Sequence, residues 1–230
     1  LRGWGLSQGY PDFYGHVDEI GVAASVWNYF RVGSLEPTEF TYPACYSYLV
    51  AMALYLGRLC GFGVYLEDIR ESLVIMSYID PGWAALLGRW LSAVFSTATL
   101  PVLFLLGREV DGPRTGLLAV LLAAFAVLPV NQAHHALPDS TMAFVATCCF
   151  YGAWQIYRSG TYFTYVTAGL AAGLVMAIKY NGCFTALGIV AAHWLRGRRN
   201  GMSPQKILLS PSLWGSAAVA GVTLVGASPH

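Results

Sequence analysis

The chain has 230 residues, of which 56% are hydrophobic and 11% are charged, and its formal net charge is +1. Soluble domains carry about 25% charged residues, so this chain lacks the polar side chains that a water-exposed surface requires. The composition indicates a lipid bilayer as the solvent, and the small net charge gives no sign of a nucleic-acid partner. The five cysteines form no CxxC pair and no metal-ligand spacing. The chain starts without Met and stops just after an apolar run, so we expect a fragment of a longer membrane protein.

The first predicted element is a helix that begins at an acidic pair. Asp18 and Glu19 precede an apolar stretch that runs to about Phe30, and Gly33 is a typical residue for the end of a helix. A carboxylate in the first helical turn is favoured by the helix dipole and tends to stay ionised. Helix capping alone would therefore explain the acidic pair, and the nearby His16 strengthens a functional interpretation only slightly.

The apolar run from Tyr42 to Phe62 has two interpretations, a membrane crossing or a helix that lies in the membrane interface. Its five aromatic residues, Pro43 and an internal Arg58 fit the interfacial helix better. We favour that interpretation, which makes residues 1–83 one external loop that carries the acidic pair and a juxtamembrane helix.

Five further apolar segments are long enough to cross a bilayer. They are Ala84 to Gly107, Thr115 to Val130, Ser140 to Tyr157, Phe163 to Leu195 and Ile207 to Gly226. The fourth segment is too long for one crossing, and Lys179-Tyr180-Asn181-Gly182 interrupts it. It therefore predicts two short spans joined by a tight turn. Residues 84–230 are expected to form a transmembrane helical bundle of about six spans.

The charges of the loops predict the orientation, because Lys and Arg accumulate on the cytoplasmic side. If the run from Tyr42 does not cross, the loops at 108–114, 158–162 and 196–206 share one side and carry seven Lys and Arg residues. The opposite side holds the loop at 131–139, which has no Lys or Arg, and the acidic residues before position 84. A crossing at this run would move the first 41 residues to the basic side, which loop charge disfavours only mildly. The acidic pair is therefore expected on the external face.

Polar residues beside the later spans are further candidates for chemistry. Asp139 stands directly before a span, where a helix cap would also explain it, and His134 and His135 precede it. Lys179 and Arg89 are cations expected near the outer ends of spans. Each of them either extends to the headgroup region or binds an anionic lipid phosphate.

A metal site is also conceivable, since imidazole and carboxylate groups together bind divalent ions. Its ligands would come from His16, Asp18, Glu19, His134, His135 and Asp139. No close pairing such as HExxH supports the site. A divalent metal ion therefore stays open as a cofactor, and no metal ligand is assigned.

The motifs of the chain occur in an order that resembles a known family. Five segments carry the resemblance: HVDE, GSLEPTEFTYPACYSYLVA, GRWLSAVFSTATLPVLFLLGREVDGPRTGLLAVLLAAFAVLPV, ALPDSTMAF and AGLAAGLVMAIKYNG. Over nearly all of residues 11–195 they are similar to the dolichyl-phosphate-mannose protein O-mannosyltransferases and their bacterial relatives, including the aminoarabinose transferases. The resemblance implies an all-α integral membrane protein, a multipass helical bundle of the GT-C type with an external loop of juxtamembrane helices.

The resemblance also implies an activity and roles for the candidate residues. A sugar would move from a polyprenyl-phosphate-type lipid to a protein, lipid or glycan acceptor, with inversion, on the external face of a membrane, which we expect to be a prokaryotic plasma membrane. Displacement at the anomeric carbon requires a base for the acceptor hydroxyl and cations for the departing phosphate. Asp18 matches the general base, and Glu19 and Asp139 would assist it or orient the acceptor. The residues expected to bind the substrates are His16, Arg89, His135 and Lys179.

Two other functions stay open. A multipass transporter or lipid flippase would use Asp139 and Lys179 to couple or bind its cargo, although no paired helices of an inverted repeat are evident and the candidates cluster at one face. A noncatalytic membrane scaffold would use its polar residues only as helix caps, and it would tolerate Asp18→Asn.

Overall fold

The structure is a computed structural model that describes residues 1–10, 15–61 and 68–229. All regular secondary structure in these ranges is helical, as the sequence predicts. The helices are α1 (Val17–Val32), α2 (Cys45–Leu59), α3 (Ile69–Ile79), α4 (Gly82–Asp111), α5 (Pro113–Phe125), α6 (Val127–Gln132), α7 (Asp139–Arg158), α8 (Tyr162–Ile178), α9 (Ala186–Arg199), α10 (Pro204–Leu208) and α11 (Pro211–Ala227), with a 3-10 helix (Tyr180–Thr185) before α9. The chain divides into two compact units, which we call unit 1 (residues 1–97 and 127–141) and unit 2 (residues 98–126 and 142–229).

Unit 1 is built around α1, whose limits follow from local sequence. His16 caps its first turn, and Gly33, with φ of 77°, ends it in the left-handed conformation that glycine adopts without strain. This end confirms the predicted stop. The buried face of α1 packs against α2 and α3 in a core formed by Val22, Ala23, Val26, Trp27, Tyr46, Val50, Leu54, Leu73, Met76 and Ala84.

Helix α2 has one buried face and one apolar exposed face. Tyr46, Val50 and Leu54 recur every four residues and are at most 3% exposed, whereas Met52 and Leu59 are more than half exposed. Its 15 residues span about 22 Å, less than the roughly 30 Å of a hydrocarbon core. These features support the predicted interfacial helix, which stays a prediction; Phe62, its predicted end, lies outside the described residues.

Helix α3 was not predicted by the sequence analysis. Asp68 caps it by accepting a hydrogen bond from the backbone N–H of Glu71 at 3.0 Å, and this Asp-x-x-Glu spacing is a helix-start signal. Tyr78 and Ile79 at its end are each 70% exposed, so α3 presents an apolar surface as α2 does. Glu67, which the charge argument included, lies outside the described residues.

The predicted spans are found as helices, but several are shorter than expected. Residues 82–111 and 204–227 are long and apolar enough to cross a membrane, whereas α5 and α8 are apolar but shorter. The predicted span 115–130 is interrupted at Ala126, because Pro129 lacks an N–H and its ring would clash with the carbonyl of Phe125 in a continuous helix. The predicted break near Lys179 is confirmed, since α8 ends at Ile178. The number of six crossings stays a prediction.

In unit 2, α8 and α11 are in close contact through small residues. Gly169 and Gly173 on α8 lie against Ser216 and Ala220 on α11, and a Cβ atom at Gly169 would lie 2.5 Å from the backbone oxygen of Ser216. Spacing small residues four apart lets two helix backbones approach closely, which is a common way to pack helices in membranes.

Candidate active site

The acidic pair lies in the first turn of α1, and its two side chains have opposite environments. Adjacent residues of a helix point about 100° apart. Glu19 therefore turns inward and its side chain is 0% exposed, while the side chain of Asp18 is 39% exposed. The cap of this turn is His16, whose Nδ1 atom accepts the backbone N–H of Asp18 at 3.1 Å, and Glu19 completes a capping box with it. The capping interpretation is therefore confirmed for Glu19, whereas Asp18 contributes its backbone N–H and not its carboxylate.

Glu19 joins three parts of unit 1 through its carboxylate. Its Oε2 atom accepts hydrogen bonds from the backbone N–H groups of Gly15 at 2.7 Å and His16 at 3.3 Å. Nε and Nη2 of Arg89 donate to its two oxygens at 2.9 and 2.8 Å, and the backbone N–H of Ala136 donates to Oε1 at 2.7 Å. Burial alone would raise the pKa of Glu19, but these hydrogen bonds and the charge of Arg89 hold its pKa below the usual value.

Arg89 is almost fully engaged by this arrangement. Besides its two bonds to Glu19, its Nη1 atom donates to the backbone oxygens of Leu6 at 3.1 Å and Gln8 at 2.8 Å. Four of its five N–H groups are thus used within unit 1. The phosphate-binding role predicted for Arg89 stays a prediction, and its contacts favour a role in positioning Glu19 and the N-terminal segment.

Asp18 lines a small cleft of about 40 Å³ between α1 and the segment that leads into α2. The hydroxyl of Tyr42 donates a hydrogen bond to Oδ2 of Asp18 at 2.8 Å. The cleft is also lined by the carboxylate of Glu39, by Tyr46 and by the hydroxyl groups of Ser25, Thr41 and Ser47. A carboxylate that is held in place and also reaches a cleft meets the geometric requirement for a general base.

Asp139 acts on the same two tyrosines from the start of α7. Burial, the hydrogen bond to Asp18, and the charges of Asp18 and Asp139 raise the pKa of Tyr42 to about 12. The pKa of Tyr46 is raised mainly by burial, and the charges of Glu19 and Asp139 add to that shift. The three predicted acidic residues are therefore gathered around Tyr42 and Tyr46, which sequence reasoning missed.

A second, larger cleft is lined by other residues of unit 1. Its volume is about 330 Å³ and its lining includes Trp4, Gln8, Arg89, Asn131, His134 and His135. Volumes of about 300 Å³ or more are typical of small-ligand sites. The ring of His135 lies edge-on to that of His16, with centroids 5.6 Å apart, so the two predicted histidines connect the turn that holds Asp18 with this cleft.

The electrostatic environment of His135 opposes its protonation. Its Nδ1 atom lies 4.0 Å from Oε1 of Glu19. Burial lowers the pKa of His135, and the charge of Glu19 opposes that shift only in part, while His16, Arg89 and His134 add to it. His135 is thus a neutral, polar group at neutral pH and a candidate hydrogen-bonding partner for a sugar or phosphate.

Lys179 belongs to unit 2. It follows α8 as the C-cap residue, where its backbone N–H donates to the oxygen of Val175 at 3.0 Å, and it precedes the 3-10 helix. A cation at the C-terminus of a helix is favoured by the helix dipole. Its predicted phosphate-binding role stays a prediction.

The proposed metal ligands do not form a cluster in the part of the chain that the structure describes. Within those ranges, no group of three His, Cys, Asp or Glu side chains is arranged to hold an ion. Most of the candidate lone pairs are engaged elsewhere. Glu19 binds Arg89, Nδ1 of His16 accepts the N–H of Asp18, and both ring nitrogens of His134 face backbone oxygens, those of Val130 and Trp4.

A comparison with protein families gives one match, which covers most of the chain. The family model described as dolichyl-phosphate-mannose-protein mannosyltransferase matches residues 41–225. This range includes Arg89, His135, Asp139 and Lys179 but begins after the acidic pair, so the roles of Asp18 and Glu19 depend on the geometry above. No match was found among curated proteins or among solved structures. The chain belongs to the dolichyl-phosphate-mannose-protein mannosyltransferase family, a family of membrane glycosyltransferases.

Proposed function

We propose that this protein moves a sugar from a polyprenyl-phosphate-type lipid donor to an acceptor hydroxyl on the external face of the membrane, with Asp18 as the general base. The observation that carries this proposal is the difference within the acidic pair. Glu19 is buried in the scaffold, whereas the carboxylate of Asp18 reaches a cleft. Membership of the family supplies the reaction class.

The chemistry needs one displacement. The acceptor oxygen attacks the anomeric carbon while its proton passes to the carboxylate of Asp18, and the bond between that carbon and the phosphate oxygen breaks. The electron pair of that bond leaves with the polyprenyl phosphate, so the configuration at the anomeric carbon inverts. A base positioned in this way contributes about 10² to 10⁴ in rate.

Glu19 and Asp139 have supporting roles in this proposal. Glu19 fixes the first turn of α1 through Arg89 and Ala136, so it acts on the reaction through the position of Asp18. Asp139 places a second negative charge near Tyr42 and Tyr46, where it orients the acceptor beside the base.

The donor would occupy the larger cleft beside the pair. Trp4 offers an aromatic face, while Gln8 and Asn131 offer amide groups for sugar hydroxyls. His16 and His135 lie between this cleft and Asp18 and would contact the sugar. Arg89 lines this cleft and is a cation proposed for the leaving phosphate. Lys179 of unit 2 is the other cation that we propose for a lipid phosphate.

The substrates and the membrane are part of the same proposal. The family's name describes mannose, dolichyl phosphate and protein, so a polyprenyl-phosphate mannose and a hydroxyl-bearing peptide are the first pair to test. We also propose a multipass topology in a prokaryotic plasma membrane. A transporter or flippase was the alternative from the sequence, and membership of a glycosyltransferase family favours the transferase.

The test measures release of polyprenyl phosphate by the full-length protein in proteoliposomes. The donors are a panel of polyprenyl-phosphate sugars and the acceptors are peptides, glycans and lipids with hydroxyl groups. We expect Asp18→Asn to lower the release rate by about 10² or more, because the amide cannot accept the acceptor's proton.

The matched control is Asp68→Asn, the same substitution at the N-cap of α3. Asn caps a helix about as well as Asp, so this variant should keep wild-type release. Equal release by wild type and Asp18→Asn would remove Asp18 from the chemistry. Release that falls equally in both variants would indicate a loss of folding in place of a catalytic effect.

A further inference from the structure

Tyr42 is the side chain that holds Asp18. Among the residues that the structure describes, it is the one whose side chain donates a hydrogen bond to the carboxylate of Asp18, at 2.8 Å to Oδ2. His16 does not compete for this role, because its Nδ1 atom accepts the N–H of Asp18 and therefore carries no proton to donate. Tyr46 is also committed elsewhere, since its hydroxyl lies 3.0 Å from both the oxygen of Gly88 and the hydroxyl of Ser92.

The backbone at Tyr42 supports a fixed position for the phenol. The next residue is Pro43, which restricts the preceding residue to extended conformations and is itself buried. The ring of Tyr42 is partly buried and lines the cleft that Asp18 lines. Its hydroxyl stays protonated at neutral pH, because burial and the neighbouring carboxylates raise its pKa to about 12. It is therefore a permanent hydrogen-bond donor.

We propose that Tyr42 is a positioning residue for the reaction: its phenol occupies Oδ2 of Asp18 and leaves Oδ1 to accept the proton of the acceptor hydroxyl. This inference rests on the proposed function of Asp18. The phenol fixes the rotation of the carboxylate, so the acceptor meets one defined oxygen.

Other titratable groups lie around Asp18. His16 faces it from the N-cap of α1, with Nδ1 3.9 Å from Oδ2. Glu39, Tyr42 and Tyr46 share its cleft from the segment before α2 and from α2, and the charge of Asp139 reaches Tyr42 from α7. Tyr42→Phe retains all of these other side chains, so a fall in kcat in that variant reports the lost hydroxyl.

The experiment compares kcat and KM for wild type, Tyr42→Phe and Tyr48→Phe in proteoliposomes. In Tyr42→Phe we expect kcat to fall about 10-fold, with KM for the donor changed less than about 2-fold. Tyr48→Phe loses only a bond to the backbone oxygen of Leu35 at 2.7 Å, so its kcat and KM should match those of wild type.

A second variant keeps the shape of the ring. Replacement of Tyr42 by 3-fluorotyrosine keeps the phenol donor that Tyr42→Phe removes, so kcat should stay close to that of wild type. If Tyr42→Phe keeps wild-type kcat while Asp18→Asn still abolishes release, the positioning role is wrong and the proposed function stands. If Asp18→Asn keeps wild-type release, both the proposed function and the role of Tyr42 are wrong.

Discussion

Unit 1 and unit 2 have similar apolar compositions but are held together in different ways. In unit 1, buried polar groups connect distant parts of the chain: Glu19 and Arg89 are 70 residues apart and pair at 2.8 Å with side chains that are 0% and 5% exposed. In unit 2, α8 and α11 meet through backbone and small side chains at Gly169 and Gly173.

The difference has a physical reason in what each unit must do. A buried ion pair is costly to desolvate and is a weak source of stability compared with apolar packing. Its advantage is a defined geometry, which the reaction proposed at Asp18 would require. Small-residue contacts let two helix backbones approach closely, which is a common way for membrane helices to pack. The buried charges of unit 1 are therefore expected at the site, where position matters more than stability.

The largest effect is expected from removing one member of the buried pair. Arg89→Ala leaves the carboxylate of Glu19 buried without its charged partner, and such a change costs about 3–5 kcal/mol. The measurement is thermal unfolding in detergent, where the midpoint should fall on the order of 10 °C.

Two further variants make this prediction specific. Arg70→Ala is the control, because Arg70 is exposed and its Nε atom donates a hydrogen bond to a backbone oxygen, that of Phe30, and not to a buried carboxylate. The double variant Glu19→Met with Arg89→Met should recover much of the loss, since apolar replacement of a whole buried pair is often neutral or stabilising. If the double variant is as unstable as Arg89→Ala, the unpaired charge of Glu19 is not the cause of the lost stability.

A smaller effect is expected from the helix contact of unit 2. Gly173→Ala would place a methyl group against the backbone oxygen of Ala220, and overpacking of this kind costs about 1–3 kcal/mol. The matched control is Gly221→Ala on α11, where a Cβ atom meets nothing within 4 Å. There the better helix propensity of Ala should leave stability unchanged or raise it by up to about 1 kcal/mol. Equal unfolding midpoints for the two variants would contradict the close-contact description.

Local signals predicted the fold better than the site. The end of α1 at Gly33 and the break after Ile178 follow from residues that stop a helix where they stand. The break at Ala126 depends on Pro129 and could have been read from the sequence by the same rule. Composition and periodicity therefore predicted most of the helices, but they missed α3 and the interruption within residues 115–130.

The site depends on contacts that no local pattern encodes. Tyr42 reaches Asp18 across 24 residues of chain, and Ala136 reaches Glu19 across 117. The sequence indicated which acidic residues to consider, but it could not show that Asp18 faces a cleft and Glu19 the interior. That difference follows from the 100° between adjacent helical residues together with the position of Arg89, which only the fold supplies.

The smallest expected effect is a pH dependence of stability at His135. The folded state lowers the pKa of this histidine below its unfolded value, so the unfolded chain binds more protons as the pH falls below about 6.5. Stability is therefore expected to decrease as the pH falls from that value through the folded pKa. In His135→Asn this part of the dependence is absent, so its unfolding midpoint should change less than that of wild type between pH 7 and pH 5.

Glu19 titrates in a different window, which allows the two effects to be separated. Its folded pKa lies below the unfolded value, so its contribution to stability is present above about pH 4.3 and is lost only as the pH falls further, through the folded pKa. Glu19→Gln should therefore change how the unfolding midpoint depends on pH below that value. Between pH 7 and pH 5, where His135 contributes, the dependence should stay as in wild type. Parallel curves for wild type and His135→Asn over that range would mean that burial does not oppose protonation of His135, and the charge balance that we describe around Glu19 would be wrong.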